Sequence, residues 1–315
     1  MAEMRAVGFT EFGDPSVLRI VSLPIPSPGP GQVRVKVVAA TVNPTDIGFR
    51  RGGRQLPEGV QPPYVAGMDL AGVIDEVGPD VSREWRRDDR VMAAVSPWVP
   101  GGGAQAEYVV VAEDQLARVP DGISLEAAAT LPMNGMTVRT ALDMLGLRPG
   151  QTLAVTGAAG AVGGYAIQLG TRDGLEVVAD AAPADEELIR SLGAQHVVPR
   201  GSGFVTAVRE ICPDGVDALL DAALLGPAAL PAVRDGGRLM AVRPFQGETE
   251  RGIGISLVLV GNHLHEGHRL AELADLAAKG TLTLRVAELI PAHRAAEAHR
   301  RLEAGGVRGR LVLTF

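Results

Sequence analysis

Polar and apolar positions alternate over short runs in the first 120 residues, with glycine and proline between the runs. In residues 33–38 (VRVKVV), Arg34 and Lys36 share one face and valines fill the other, which predicts a half-buried antiparallel strand. Residues 71–77 and 107–111 repeat the short-strand pattern, and runs at this spacing predict an all-β barrel or sandwich. LPIPSPGPG (23–31) holds too many prolines for a central strand or a helix, so it reads as a rigid surface connection.

The pattern changes near residue 124, where Ser124 stands as an N-cap before an Ala-rich helical segment. From 152 onward strand and helix alternate: TLAVTG (152–157), a helix over 161–171, EVVAD (176–180), and a helix over 184–192. HVVP (196–199), a helix near 203–211, VDALLDAAL (216–224) and GRLMAV (237–242) continue the series. Such alternation predicts βαβ units and a parallel sheet. Leu270, Leu273, Ala274 and Ala277 then form a helical stripe that stops at Gly280, followed by a helix over 291–304 and a last strand, RLVLTF. The class is α/β, with a β-rich domain at 1–124, a doubly wound dinucleotide-type domain at 125–262, and a tail, 263–315, that rejoins one of them.

Composition narrows the chemistry. The net charge of −7 is spread without a basic block, which argues against nucleic acid or an anionic membrane as partner. Cys212 is the single cysteine, so neither an intramolecular disulfide nor a Cys-rich zinc site can form. The N-terminal MAEMRAVGFTEFG has no apolar core of signal-peptide length, no apolar run reaches membrane-span length, and a cytoplasmic setting is expected. All six histidines lie at 196 or later, so the first 195 residues contain neither imidazole nor thiol. Chemistry there must use hydroxyls, amides, carboxylates or a borrowed cofactor. His263, His265 and His268 are spaced loosely like metal ligands, but they read as surface or interface side chains; His293 and His299 read as solvated on the polar face of a helix.

The strongest local signal is VTGAAGAVGG (155–164). Within it Gly157 follows the strand, Ala158 takes the first slot of G-x-G-x-x-G, and Gly160 and Gly163 take the other two, with Ala161 and Val162 between them. Gly160 would let backbone approach a pyrophosphate, Gly163 would let the helix pack closely on the sheet, and the free N–H groups of the first turn would hold the phosphates. Asp180 follows Gly160 by 20 residues. A carboxylate there can accept from the ribose 2′-OH of NADH and repel the 2′-phosphate of NADPH; the alternative is a solvated strand-end acid. No Lys or Arg occurs between 181 and 189, and Arg200 is the nearest candidate for a 2′-phosphate.

Several segments, in order along nearly the whole chain, resemble the zinc-independent, quinone-oxidoreductase-like branch (zeta-crystallin type) of the medium-chain dehydrogenases/reductases. They are VNPTD (42–46), PYVAGMDLAGVIDEVG (63–78), GAQAEYVVV (103–111), LPMNGMTVRTAL (131–142), GAAGAVG (157–163) and AAEAHRRLEAGGVRGRLVL (295–313). The resemblance implies a GroES-like β-barrel domain that takes back the tail, a Rossmann domain, and a cleft between them for nicotinamide and substrate. It implies hydride transfer from NADPH or NADH to a quinone or enone without metal, with Asp180 hinting that NADH is competent. A homodimer or homotetramer joined near residues 254–261 is implied as well. By motif, Asn43 would hydrogen-bond the nicotinamide ribose or the substrate oxygen, and Asp46 would brace the loop. Thr137 would lie near the cofactor, and Tyr64 and Met68 would flank the cleft. The bland alternative for Asn43-Pro44 is a simple turn.

Four positions depart from the pattern. Gly48 stands where many relatives carry a Tyr or Lys donor, so an obvious general acid is missing. Ala181, Ala182 and Pro199 stand where NADPH-using relatives often carry polar or cationic groups. The function expected is that of an NAD(P)H-dependent quinone or enone reductase. An enoyl reductase of a biosynthetic, polyketide-type pathway and a non-catalytic dinucleotide-binding protein are the alternatives.

Overall fold

The computed structural model describes residues 2–53, 55–82 and 84–315. They divide into two compact units. The first runs up to Met133 and takes in Gly261–Gly280 and Leu284–Phe315; the second comprises Asn134–Val260 and Thr281–Thr283.

The first unit is built on a sheet in the order Val286–Pro291, Arg310–Thr314, Gln32–Thr41, Asp69–Val77, Arg90–Ala94, Leu116–Arg118, with Tyr108–Ala112 also paired to Gln32–Thr41. Its pairings are antiparallel except for the two tail strands, which run parallel to each other. The alternation in Gln32–Thr41 works as its sequence dictates. Val33, Val35 and Val37 are buried among Leu70, Ile74, Val91 and Val109, while Arg34 turns out to Asp75 (2.8 Å) and Glu76 (2.6 Å). A smaller sheet, Arg19–Pro24, Glu3–Phe9 and Tyr64–Val65, completes this unit. The tail is an integral part of it, because Val312, Leu313 and Thr314 pair with Thr41, Ala40 and Ala39.

The second unit contains six parallel strands in the order His196–Pro199, Glu176–Ala181, Thr152–Thr156, Val216–Asp221, Val233–Ala241, Gly254–Leu257. The order reverses between Thr152–Thr156 and Val216–Asp221, which is the doubly wound arrangement. Helices Ala161–Arg172, Glu186–Ser191 and Phe204–Ile211 are the crossovers. The apolar run at 216–224 stops being strand at Asp221, because the carboxylate of Asp221 accepts from Leu225 N (3.0 Å) and Gly226 N (2.8 Å) and folds the chain into a turn.

Two tail expectations are corrected. The helix expected over 291–304 begins only at Ala295, and residues 286–291, to which the pattern assigned no element before 291, form a strand beside Arg310–Thr314. His299 is fully buried rather than solvated: its Nδ1 lies 3.3 Å from Nη1 of the buried Arg50. The polar face of that helix is therefore an internal packing face around Arg50, which also donates to Glu303 (2.5 Å) and to the Gly13 carbonyl (3.1 Å). No helix among the described residues is long and apolar enough to cross a membrane.

Candidate functional site

In the second unit, strand Thr152–Thr156 delivers the chain into a left-handed turn at Gly157 (φ 65°), where an added Cβ would lie 3.0 Å from the Ala222 carbonyl carbon. Gly157 O accepts from Gly160 N (2.9 Å), and Gly160 is the N-cap of helix Ala161–Arg172. The first intrahelical bond is Gly164 N to Gly160 O (2.9 Å), so the N–H groups of Ala161, Val162 and Gly163 have no intrahelical acceptor. A Cβ at Gly163 would come within 2.4 Å of Gly157 O and 2.5 Å of Ala158 Cα. The closeness that glycine permits there is to the loop, not to the sheet as expected. The approach of helix to sheet falls instead at Gly170, whose added Cβ would meet Leu153 and Val177 at 3.2 Å. A tight backbone turn with helical N–H groups standing over it suits a pyrophosphate, so these residues fit a dinucleotide.

Asp180 is buried, 6% exposed, and its Oδ1 accepts from Ala158 N at 2.8 Å. That bond lies inside the glycine loop, so the carboxylate is neither solvated nor turned outward. Arg200 is exposed at the end of the neighbouring strand, with its backbone N–H on Ala181 O (3.0 Å). Thr156 and Asp221, which no motif had marked, join the ends of two adjacent strands through a 2.7 Å hydrogen bond. Thr137 is half-buried on helix Pro132–Leu145, also in this unit.

In the first unit, the VNPTD segment becomes a strand end and the short helix Pro44–Arg50. Asp46 Oδ2 accepts from Asn43 N (2.8 Å), and Oδ1 accepts from Gly67 N (3.0 Å), tying the helix start to the next chain segment. Burial raises the Asp46 carboxyl to a pKa of about 7, against the opposing pull of those two N–H donors. Beneath it lies a buried polar network. Asp69 Oδ2 accepts from Thr41 Oγ1 (2.5 Å), Asn43 Nδ2 (2.9 Å) and Arg310 Nη2 (3.0 Å), and its Oδ1 accepts from Met133 N (2.5 Å). Arg310 Nη2 also donates to Asn43 Oδ1 (2.8 Å) and to Thr41 Oγ1.

The Asn43 carboxamide is thus 2% exposed and spent at both ends on protein partners. The expectation that it offers an N–H to substrate is corrected: its geometry is that of a strut. Sequence reading missed Asp69 and Arg310. The signals were there, one acid inside the apolar run YVAGMDLAGV and one Arg opening the last strand, but nothing local links residues 241 positions apart.

Tyr64 is half-buried and stacks on Phe12, with ring centres 5.3 Å apart at 8°. With Phe49, Val60, Pro97, Val99 and Tyr108 it lines a cavity of about 450 Å³ inside the first unit. Met68 is buried nearby in sequence, and Gly48 has no atom within 4 Å of an added Cβ. His263 pairs with Glu266 (2.7 Å) and His265 with Asp114 (2.8 Å). Among the described residues no group of three or more His, Cys, Asp or Glu is placed to hold a metal ion.

A GroES-like unit with its returned tail, followed by a doubly wound unit with a glycine loop, defines a dehydrogenase or reductase of the medium-chain type. Comparison with known proteins bears this out. The alcohol dehydrogenase GroES-like domain matches residues 29–121, and the zinc-binding dehydrogenase family matches residues 192–313. A probable oxidoreductase from Mycobacterium abscessus is 30% identical, with a TM-score of 0.85 over 100% of this chain and 99% of that one. The quinone oxidoreductase from Coxiella burnetii is 26% identical, with a TM-score of 0.86 and 100% coverage of both chains. A chloroplastic NADPH-dependent alkenal/one oxidoreductase of Arabidopsis thaliana is 33% identical over 247 residues, 76% of this chain. The match spans 62% of that curated relative's length. The chain belongs to the medium-chain dehydrogenase/reductase family, in its quinone-oxidoreductase-like group.

Proposed function

We propose that this protein is a metal-independent, NAD(P)H-dependent reductase that delivers hydride to a quinone or an α,β-unsaturated carbonyl. The observation that carries it is the turn Gly157–Gly160 beneath the unpaired N–H groups of Ala161, Val162 and Gly163. The activities for which the Arabidopsis and Coxiella relatives are named support the acceptor class. When bound, the reduced nicotinamide supplies the hydride.

The chain's own residues bind and orient. The helix N-terminus holds the pyrophosphate, with Gly157 and Ala158 shaping the turn below it. We assign the substrate to the first unit, residues 1–124 with 263–315, and the cofactor to the second, 125–262. Asn43 and Asp46 fix the 43–50 segment, while Tyr64 and Thr137 are assigned to flank substrate and cofactor. With glycine at 48, the proton that neutralises the product oxygen comes from water. Metal independence rests on the absence of His and Cys from the first 195 residues, where a zinc set would have to be assembled.

The reading includes a cytoplasmic homodimer or homotetramer, formed through strand Gly254–Leu257 at the edge of its sheet. The test is loss of reduced-nicotinamide absorbance with NADPH and with NADH against menadione, methyl vinyl ketone and an enoyl thioester. Turnover of the first two supports the proposal. Turnover of the thioester alone would make the protein an enoyl reductase, and binding without any turnover would make it a non-catalytic dinucleotide-binding protein.

A further inference from the structure

The two strands on which cofactor choice depends end side by side. Asp180 pairs in register with Val198 and Ala181 with Pro199, and Arg200 follows directly. Two side chains of opposite charge stand there in different states. Asp180 is buried and holds Ala158 N inside the glycine loop. Arg200 is exposed, and its guanidinium has no hydrogen bond or ion pair with any described residue.

At and just beyond the strand end, Ala181, Ala182, Pro183 and Ala184 carry no carboxylate. Of the next acids, Asp185 is buried, Glu186 is paired with Arg190 (3.0 Å), and Glu187 is exposed on the following helix.

We propose that Asp180 is a positioning residue of the glycine loop, not the group that chooses between NADH and NADPH, and that Arg200 selects the 2′-phosphate. This rests on the dinucleotide reading above. Ala158 is fully buried, so its N–H must find an acceptor within the protein, and Asp180 is that acceptor. Holding it sets the shape of the turn under the pyrophosphate, a feature common to both cofactors. Loss of the acceptor should therefore weaken both alike. A free guanidinium at the strand end can form a bidentate ion pair with the 2′-phosphate, the group that NADPH carries and NADH lacks.

The test uses the full chain and two probes without a nicotinamide, 5′-ADP and 2′,5′-ADP, titrated by calorimetry. Asp180→Ala should weaken both by about tenfold, the scale of one buried hydrogen bond, with their ratio unchanged. Asp180→Asn should recover most of that loss, because an amide oxygen still accepts from Ala158 N. Arg200→Ala should weaken 2′,5′-ADP by about tenfold and leave 5′-ADP within about twofold. The proposal is overturned if either Asp180 variant tightens 2′,5′-ADP while losing 5′-ADP, or if Arg200→Ala leaves the ratio unchanged. Should Asp180→Ala fail to fold, the Asn variant alone decides, since it removes the charge that a selecting carboxylate would need. A wild-type chain that binds neither nucleotide would overturn the dinucleotide reading itself, a result separate from a wrong ratio.

Discussion

Arg310 and Asp69 form an ion pair of 3.0 Å with side chains 5% and 0% exposed, across 241 residues of sequence. Asp69 is satisfied by four donors, whereas Arg310 Nε is buried with no partner among the described residues. A buried pair of this kind is worth little against an apolar replacement, but it is costly to break from one side. Asp69→Leu or Arg310→Met alone should cost about 3–5 kcal/mol in urea unfolding. The double variant should cost less than the sum of the two. Additive losses would show that the residues act separately.

The glycine at 163 gives a sharper test of the loop. A methyl group there would stand 2.4 Å from Gly157 O, and the obstacle is backbone rather than a movable side chain. Gly163→Ala should abolish measurable NADPH binding by fluorescence titration and lower Tm. Gly160→Ala, whose Cβ would lie 3.1 Å from the same oxygen, should do less on both counts.

Two buried titrating groups in the first unit pull stability in opposite directions with pH. Asp46 has its pKa raised by burial from 3.8 to about 7. Between those values the folded chain keeps a proton that the unfolded chain loses, so this contribution falls as pH rises through the window. His299 has its pKa lowered by burial, and then by Arg50, from 6.5 to about 3. There the unfolded chain takes the proton first, so stability falls as pH drops from 6.5 toward 3. Urea unfolding across pH 3–8 should show the alkaline-side decline reduced in Asp46→Asn and the acid-side decline reduced in His299→Gln. Curves parallel to wild type would show that neither group titrates this way.

An added Cβ at Gly48 would meet no atom within 4 Å, so a side chain can leave the backbone there without a clash. Gly48→Tyr should melt within about 2 °C of wild type, as an unobstructed substitution does. With small enones it should retain or raise kcat, because it supplies a phenolic donor that position 48 lacks, while KM for bulky quinones rises. A large fall in Tm would mean that position 48 is enclosed.

Much of this arrangement was legible because it is local. The strand patterns at 152, 176 and 196 and the helix after Gly160 rest on alternation, periodicity and glycine placement within a dozen residues. What was not legible depended on distant partners. Asn43 reads as a donor only until Asp69 and Arg310 arrive from other strands to occupy it. His299 reads as solvated until Arg50 is packed against its helix. Asp180 stands at the distance from the glycine loop that the dinucleotide fingerprint asks of a ribose acceptor, yet its carboxylate turns inward to Ala158. A spacing rule counts residues and does not report which way a side chain at a twisted strand end points.

The pairing of Val312, Leu313 and Thr314 with Thr41, Ala40 and Ala39 also sets an order of events during synthesis. Everything the second unit contains has been made once residue 283 is added, so it can close while the ribosome is still working. The first unit must keep Thr41, Asn43 and Asp69 waiting until residue 314 has emerged. During that interval only the Ala39–Thr41 end of strand Gln32–Thr41 lacks its partner, because Gln32–Lys36 is already paired with Tyr108–Ala112.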